Sequence, residues 1–347
     1  MNEFESIVAR QFDIASGNFP GIELPKYNKY TLCNLRGGIG KTTLAFNLTY
    51  MGGDVLAVDT CPQGNLSYFF DKEYYNNSST SVRDLILPYV IPGLGKASHV
   101  ASYVGATNEF FKDRQAYYIP SSNELYLLPA QLISAINQTA GLQSPMKESA
   151  LQSILYSLKK EINREMEEIG TVSKCLIDTS PFFAGATQLA WYATDALIIP
   201  VRTDLQSVKS LELLIQTLTS PQGEFQKYAK DLNISTPKIQ MVVLTHCGWS
   251  TTAGARNKPN QQTEVYVKKI YDILNRNRTL LTTGDPTNHL FLLDDFLGSG
   301  RISSALSKPL ELLRPGESKA IDRVKVSVND SVKKCKNQLK FINSVIW

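Results

Sequence analysis

The sequence predicts an α/β fold, a doubly wound and mostly parallel twisted sheet flanked by helices. Three observations carry that expectation. Apolar runs of five or six residues (Val55–Asp59, Lys174–Asp178, Ala196–Val201, Met241–Thr245) alternate with stretches of helical periodicity. Those stretches place Leu151, Ile154, Leu155, Leu158 and Ile162 on one stripe and Val208, Leu211, Leu214, Ile215 and Leu218 on another. The 347 residues, 43% hydrophobic and 20% charged, supply enough apolar surface for a substantial core.

In chain order, the first strand is Tyr30–Asn34, and a glycine-rich segment follows it: Arg36-Gly37-Gly38-Ile39-Gly40-Lys41-Thr42-Thr43. Leu44-Ala45-Phe46-Asn47-Leu48 then begins a buried helix. A strand, a glycine loop ending in Gly-Lys-Thr and a helix make the context a phosphate-cradling loop needs. The glycines let successive N–H groups turn inward toward phosphate oxygens, and the helix N-terminus adds its dipole. Gly37, Gly38, Ile39, Gly40, Lys41, Thr42 and Thr43 are therefore expected to bind a nucleotide, ATP or ADP. Lys41 is expected on the β- and γ-phosphates, and the Thr42 hydroxyl on Mg²⁺.

The next two strands each end in a carboxylate. Val55–Asp59 leads into the loop Thr60-Cys61-Pro62-Gln63-Gly64-Asn65-Leu66-Ser67, and Lys174–Asp178 leads into Thr179-Ser180-Pro181. Asp178 sits where a P-loop fold keeps a metal-holding aspartate, with Asp59 also available near the metal or the attacking water. Pro200, in the following buried strand, is assigned with the glycine loop to the cofactor.

An ordinary P-loop has glycine where this chain has Leu35; here a Gly-Gly pair follows a basic residue instead. The loop resembles the deviant P-loop of the ParA/MinD family of ATPases, whose usual form is Lys-Gly-Gly-x-Gly-Lys-Thr-Thr. The Thr60–Ser67 loop resembles that family's Asp-x-Asp-Pro-Gln-Gly-Asn switch, and Ile177–Pro181 its Ile-Asp-Thr-Pro-Pro block. Glu124–Ala130 resembles the strand before the family's middle helix. Arg301–Ala305 with Pro309 resembles its Arg-Leu-Ser-Glu-Ala segment.

The resemblance implies ATP-driven homodimerisation, with Arg36 in place of the lysine that reaches the partner's nucleotide. Lys41, Asp59 and Arg36 are thus the expected catalytic residues, and Thr42, Asp178 and Asp59 the expected metal site. Cys61 replaces the second aspartate of the switch. A mostly protonated thiol is a poor acceptor, so hydrolysis is expected to be slow. The implied role is segregation or positioning of a plasmid, chromosome locus or other cargo, with a ParB-like or adaptor protein stimulating the ATPase. The alternative is a nucleotide-binding scaffold with little hydrolysis that recruits a partner, at the membrane in MinD-like fashion.

Residues 29–312 read as one ATPase domain, residues 1–28 as an N-terminal extension, and residues 313–347 as a basic amphipathic helical segment. The chain is net +4, yet residues 308–347 hold nine Lys or Arg against four acids. Val328, Val332, Cys335, Leu339, Ile342 and Ile346 recur at helical spacing, with Lys333, Lys334, Lys336 and Lys340 between them. Three readings stay open for this helix: docking on the core, non-specific DNA binding by its lysines, and membrane attachment.

Five scattered cysteines without a Cys-x-x-Cys pair favour reduced thiols in a cytoplasmic protein, nucleoid-associated if it binds DNA, and argue against zinc or an iron–sulfur cluster. The N-terminus lacks a basic start and a long apolar core, and no stretch approaches a membrane span. His99, His246 and His289 lie far apart. Asn76–Thr80 reads as a turn before a helix starting near Ser81. Residues 246–260 read as a loop with Arg256 and Lys258 beside Trp249, a possible partner contact.

Overall fold

Strands with no polar face must be covered on both sides, and that is how the sheet is buried. The computed structural model describes residues 3–77, 79–250 and 258–347. Eight strands form the main sheet: β1 (Lys29–Leu32), β2 (Val55–Asp59), β3 (Ser102–Tyr103), β4 (Tyr117–Ile119), β5 (Lys174–Asp178), β6 (Ala196–Arg202), β7 (Lys238–Cys247) and β8 (Leu290–Asp294). Their spatial order is β3-β4-β2-β5-β1-β6-β7-β8, and every pair is parallel except the short β3 against β4. This is the doubly wound, mostly parallel sheet the pattern predicts. Ser78 of the expected turn and Arg256 of the loop beside Trp249 lie outside the described residues.

The helices read from periodicity appear where their stripes place them. Leu205–Thr219 buries Val208, Leu211, Leu214, Ile215 and Leu218, and Asp204 caps it by accepting from the Ser207 N–H at 2.9 Å. Ser81 and Asp84 form a reciprocal capping box that starts Val82–Val90. The stripe from Leu151 to Ile162 is divided between helices Met146–Leu155 and Ser157–Ile169, which break at Tyr156.

Two local expectations are corrected. The segment Glu124–Ala130 is not a strand: Ser122 accepts from the Glu124 N–H at 3.2 Å to start a 3₁₀ turn, and Pro129 then sits in the first turn of helix Leu128–Gln138. The strand of this region is β4, seven residues earlier in the chain at its start. The segment after residue 313 is not helical throughout. Ser318–Ile321 (β9) and Val324–Ser327 (β10) form a separate antiparallel ribbon, and the C-terminal helix runs only over Val332–Ile346.

The C-terminal helix docks on the core. Val332, Cys335, Leu339, Ile342 and Ile346 are each no more than 1% exposed, and burial of such side chains contributes about 2 kcal/mol apiece. The N-terminal helix Glu3–Ser16 packs beside it, with Asn337 donating to the Ala15 carbonyl at 3.1 Å and Gln11 to the Leu292 carbonyl at 3.0 Å. Both chain ends thus share the hydrophobic core of the central sheet.

Candidate nucleotide-binding site

β1 lies between β5 and β6, so chain connections depart to opposite sides of it and leave a crevice at the carboxyl ends of the strands. Three loops meet there. A cleft of ≈ 260 Å³ is lined by Gly37–Thr43, by Cys61, Gln63, Asn65, Tyr68 and Phe69, and by Thr179 and Pro181. Gly38 and Gly40 adopt φ of 70° and 92°, backbone that a side chain would strain. Gly40 occupies the N-cap of helix Lys41–Gly52 and turns the chain into it.

Lys41 is 7% exposed and faces no carboxylate within ion-pair distance among the described residues. Its ammonium instead donates to the loop's own carbonyls, Arg36 at 2.8 Å and Asn34 at 3.3 Å. Burial lowers its pKa, with Asp178 partly opposing the shift. Asn34, which sequence reasoning left as a strand residue, is fully buried and donates to the Pro200 carbonyl at 2.7 Å. It ties the glycine loop to β6.

The strand register sets Asp59 directly opposite Asp178. Thr42 Oγ1 donates to Asp178 Oδ2 at 2.6 Å, while Asp178 Oδ1 is buried without a hydrogen-bond partner. Burial first, then the Asp59 charge, push the Asp178 pKa up to about 7. Asp59 is pushed up to about 6, chiefly by burial. The Asp59 oxygens accept from the Ser67 N–H and hydroxyl, both at 2.8 Å, and from the Cys61 N–H at 3.1 Å. Asp59 therefore fastens the Thr60–Ser67 loop, a role that Ser67 alone in the sequence could not announce.

Other expected residues fall as follows. Cys61 lines the cleft, and burial raises its thiol pKa to about 12, with Asp59 adding to the shift. The Arg36 guanidinium pairs with Asp204 and donates to Ser207 Oγ at 2.8 Å. Pro200 is buried within β6 and lies outside the cleft lining; its carbonyl serves Asn34. Of the four lysines, Lys334 pairs with Asp294 at 2.9 Å and Lys340 with Glu311 at 3.0 Å. Lys336 is half-buried, and only Lys333 is exposed without a partner among the described residues.

A second, larger cleft of ≈ 960 Å³ adjoins the first and shares Gly38, Gly40, Thr43, Tyr68 and Phe69 with it. The C-terminal ends of β7 and β8, the helix Leu297–Leu306 and the β9–β10 ribbon complete its walls. No helix among the described residues is long and apolar enough to cross a membrane.

Residues 28–234 match the family described as an AAA domain. A probable plasmid-partitioning protein ParA of Thermus thermophilus is 26% identical over 242 residues, 65% of this chain and 62% of that protein. An uncharacterized Mycobacterium tuberculosis protein is 27% identical over 191 residues, 54% of this chain; the chain spans half of that relative's length. Among solved structures, the ATP complex of a Cyanothece McdA variant superposes with a TM-score of 0.56 at 18% identity, covering 92% of this chain and 97% of that one. At that identity the likeness is one of fold.

Proposed function

The chain belongs to this AAA domain family of ParA/MinD-type P-loop proteins, and from that premise we propose that it is an ATP-dependent switch that positions a plasmid, chromosome locus or other cargo. The observation that carries the reading is the charge left unneutralised at the cleft: a buried Lys41 that ion-pairs with no carboxylate among the described residues, and, just behind the lining, a buried Asp178 with one oxygen lacking a hydrogen-bond partner. A triphosphate fits the first and a hard cation fits the second.

Thr42 and Asp178 would hold Mg²⁺, with Asp59 behind them. Bound there, the cation supplies neutralisation of phosphate charge. Asp178 must be deprotonated for this, and its raised pKa means that the cation displaces a proton. Lys41 exchanges two neutral carbonyl acceptors for anionic phosphate oxygens, which adds charge pairing to its hydrogen bonds. The adjoining cleft takes the nucleoside. Cys61 stays a thiol and cannot accept a proton from water at neutral pH, so hydrolysis is slow.

In the closed state Arg36 leaves Asp204 and Ser207 and reaches the phosphates of a second copy. ATP thereby holds a homodimer that binds DNA non-specifically until hydrolysis, provoked by a ParB-like or adaptor protein, reopens it. Light scattering tests this: Mg-ATP should convert the wild type, but not Arg36→Ala, from monomer to dimer. A wild type that stays monomeric with saturating Mg-ATP sinks the switch.

The buried thiol also favours a second reading, a scaffold that holds ATP without turnover and recruits a partner. Turnover of Cys61→Asp decides between them. A large gain in the variant shows a competent site lacking its carboxylate, whereas no turnover in either protein, with DNA and partner present, selects the scaffold.

A further inference from the structure

We propose that the β9–β10 hairpin is a duplex-DNA-binding ribbon that grips the phosphate backbone through Lys319, Arg323 and Lys325. The inference rests on the DNA-bound switch proposed above and names the surface that carries it.

Among the described residues the two strands pair only with each other, Lys319 opposite Val326 and Lys325 opposite Ala320, apart from the eight-stranded sheet. Such a hairpin is marginal alone and needs a surface to lean on. Its inner face provides one contact: half-buried Ile321 and Val326 line the larger cleft, in company with Gly38, Gly40 and the helix Leu297–Leu306, while Val324 beside them stays exposed. Asp322 and Arg323 both take left-handed backbone, φ 50° and 67°, which makes a narrow two-residue tip.

Lys325 and Arg323 stand clear of that anchorage, and Lys319 shares the inner face with Val326 at its exposed margin. Lys319, Arg323 and Lys325 are all exposed and engage no carboxylate among the described residues. The alternation of the strands sends Lys319 and Lys325 to opposite faces, and Arg323 stands at the tip. The lone acid of the ribbon is Asp322. At its base Arg314 is exposed, while Lys308 and Lys340 are paired with Glu317 and Glu311 at 2.8 Å and 3.0 Å.

This distribution fits one partner class. A two-stranded ribbon is narrow enough for the major groove, and Lys325 on the outer face, Arg323 at the tip and exposed Lys319 at the margin of the inner face can reach successive phosphates of a duplex laid along it. No aromatic residue lies on the ribbon to seat it in lipid. The lysines of the C-terminal helix fit less well, because Lys334 and Lys340 already hold carboxylates. Nucleotide in the cleft behind the ribbon then bears directly on the element that holds DNA.

The test uses the full chain with Mg-ATP and a short random-sequence DNA duplex, followed by anisotropy between about 50 and 200 mM salt. A K319Q/R323Q/K325Q variant should bind about tenfold or more weakly, with a salt slope lower by about 2.7 for three lost phosphate contacts. Its affinity for Mg-ATP should not change. The charge-matched control K227Q/K230Q/K268Q, three exposed lysines elsewhere, should lose much less. Should the triple variant misfold, R323Q alone should lower the slope by about 0.9. A ribbon variant that binds DNA like the wild type, or no worse than the control, overturns the ribbon assignment and leaves the DNA-bound switch standing. A wild type that ignores duplex DNA at low salt, or is retained only on anionic vesicles, removes the switch's DNA step and the ribbon with it.

Discussion

The nucleotide cleft buries Lys41 and the C-terminal helix half-buries Lys334 against buried Asp294, and the two places treat the lysine charge in opposite ways. Lys334 meets Asp294 at 2.9 Å and lies over the Trp249 ring, 3.8 Å from its centroid. Asp294 also accepts from Gln338 at 2.8 Å, so the group closes on itself. Lys41 has only carbonyl oxygens, and the two carboxyls behind it are pushed toward protonation. Paired buried charge here is scaffold. On the proposed function, the unpaired charge of Lys41 and Asp178 is where the triphosphate and its cation would bind.

The contrast breaks most easily at Lys334. Lys334→Ala strands Asp294, whose pKa burial already raises and Lys334 pulls down. The loss should be about 3 kcal/mol, read as a fall in Tm and in the denaturant midpoint. Lys41→Ala removes a cation that ion-pairs with no carboxylate among the described residues, and Asp178 behind it can take up a proton, so ligand-free stability should change much less. Equal losses in the two variants would dissolve the distinction.

Asp178 sharpens it through pH. Its folded pKa, about 7, exceeds the ordinary value of 3.8, so between these values the native chain holds a proton that the unfolded chain has lost. That contribution to stability is fully present below about pH 4 and is lost as pH rises through about 7. Asp178→Asn should therefore gain stability relative to the wild type as pH rises from about 5 to about 8, in ligand-free thermal melts. Mg-dependent stabilisation of the wild type should weaken as pH falls below about 7, because protons compete with the metal. A wild-type-to-variant difference flat in pH would place Asp178 outside the charge-strained set.

Arg36 should show the smallest effect on the fold. Its side chain is 29% exposed, and the pair with Asp204 is partly solvated. Arg36→Ala should cost less than about 1 kcal/mol in chemical denaturation, while its dimerisation loss in Mg-ATP should be complete. A large stability loss would make the Asp204 contact structural.

The sheet was legible because its strands are apolar on both faces and its helices keep clean stripes, as at Leu205–Thr219. The glycine loop was legible because its chemistry is local: strand, three glycines, lysine and helix lie within fifteen residues of each other. What escaped depends on distant parts. Ser67 clamps Asp59 through a fold that no periodicity encodes, and Asn34 reaches β6 across a strand boundary. Residues 313–347 read as one amphipathic helical segment, and Val332–Ile346 is that helix, but the apolar residues at 321, 324 and 326 belong to a ribbon, where period two competes with period 3.6. Pro200 shows the limit of analogy, since its buried carbonyl serves the loop from behind.

The central claim is that the charge left open in the cleft is completed by a metal-bound triphosphate. Calorimetric titration of the purified chain with ATP, with and without Mg²⁺, measures it directly. Saturable binding that needs Mg²⁺ in the wild type and weakens by a hundredfold or so (about 2.7 kcal/mol) in a folded Lys41→Ala is the predicted result. An absence of binding by the wild type, or the same affinity in both proteins, would contradict it.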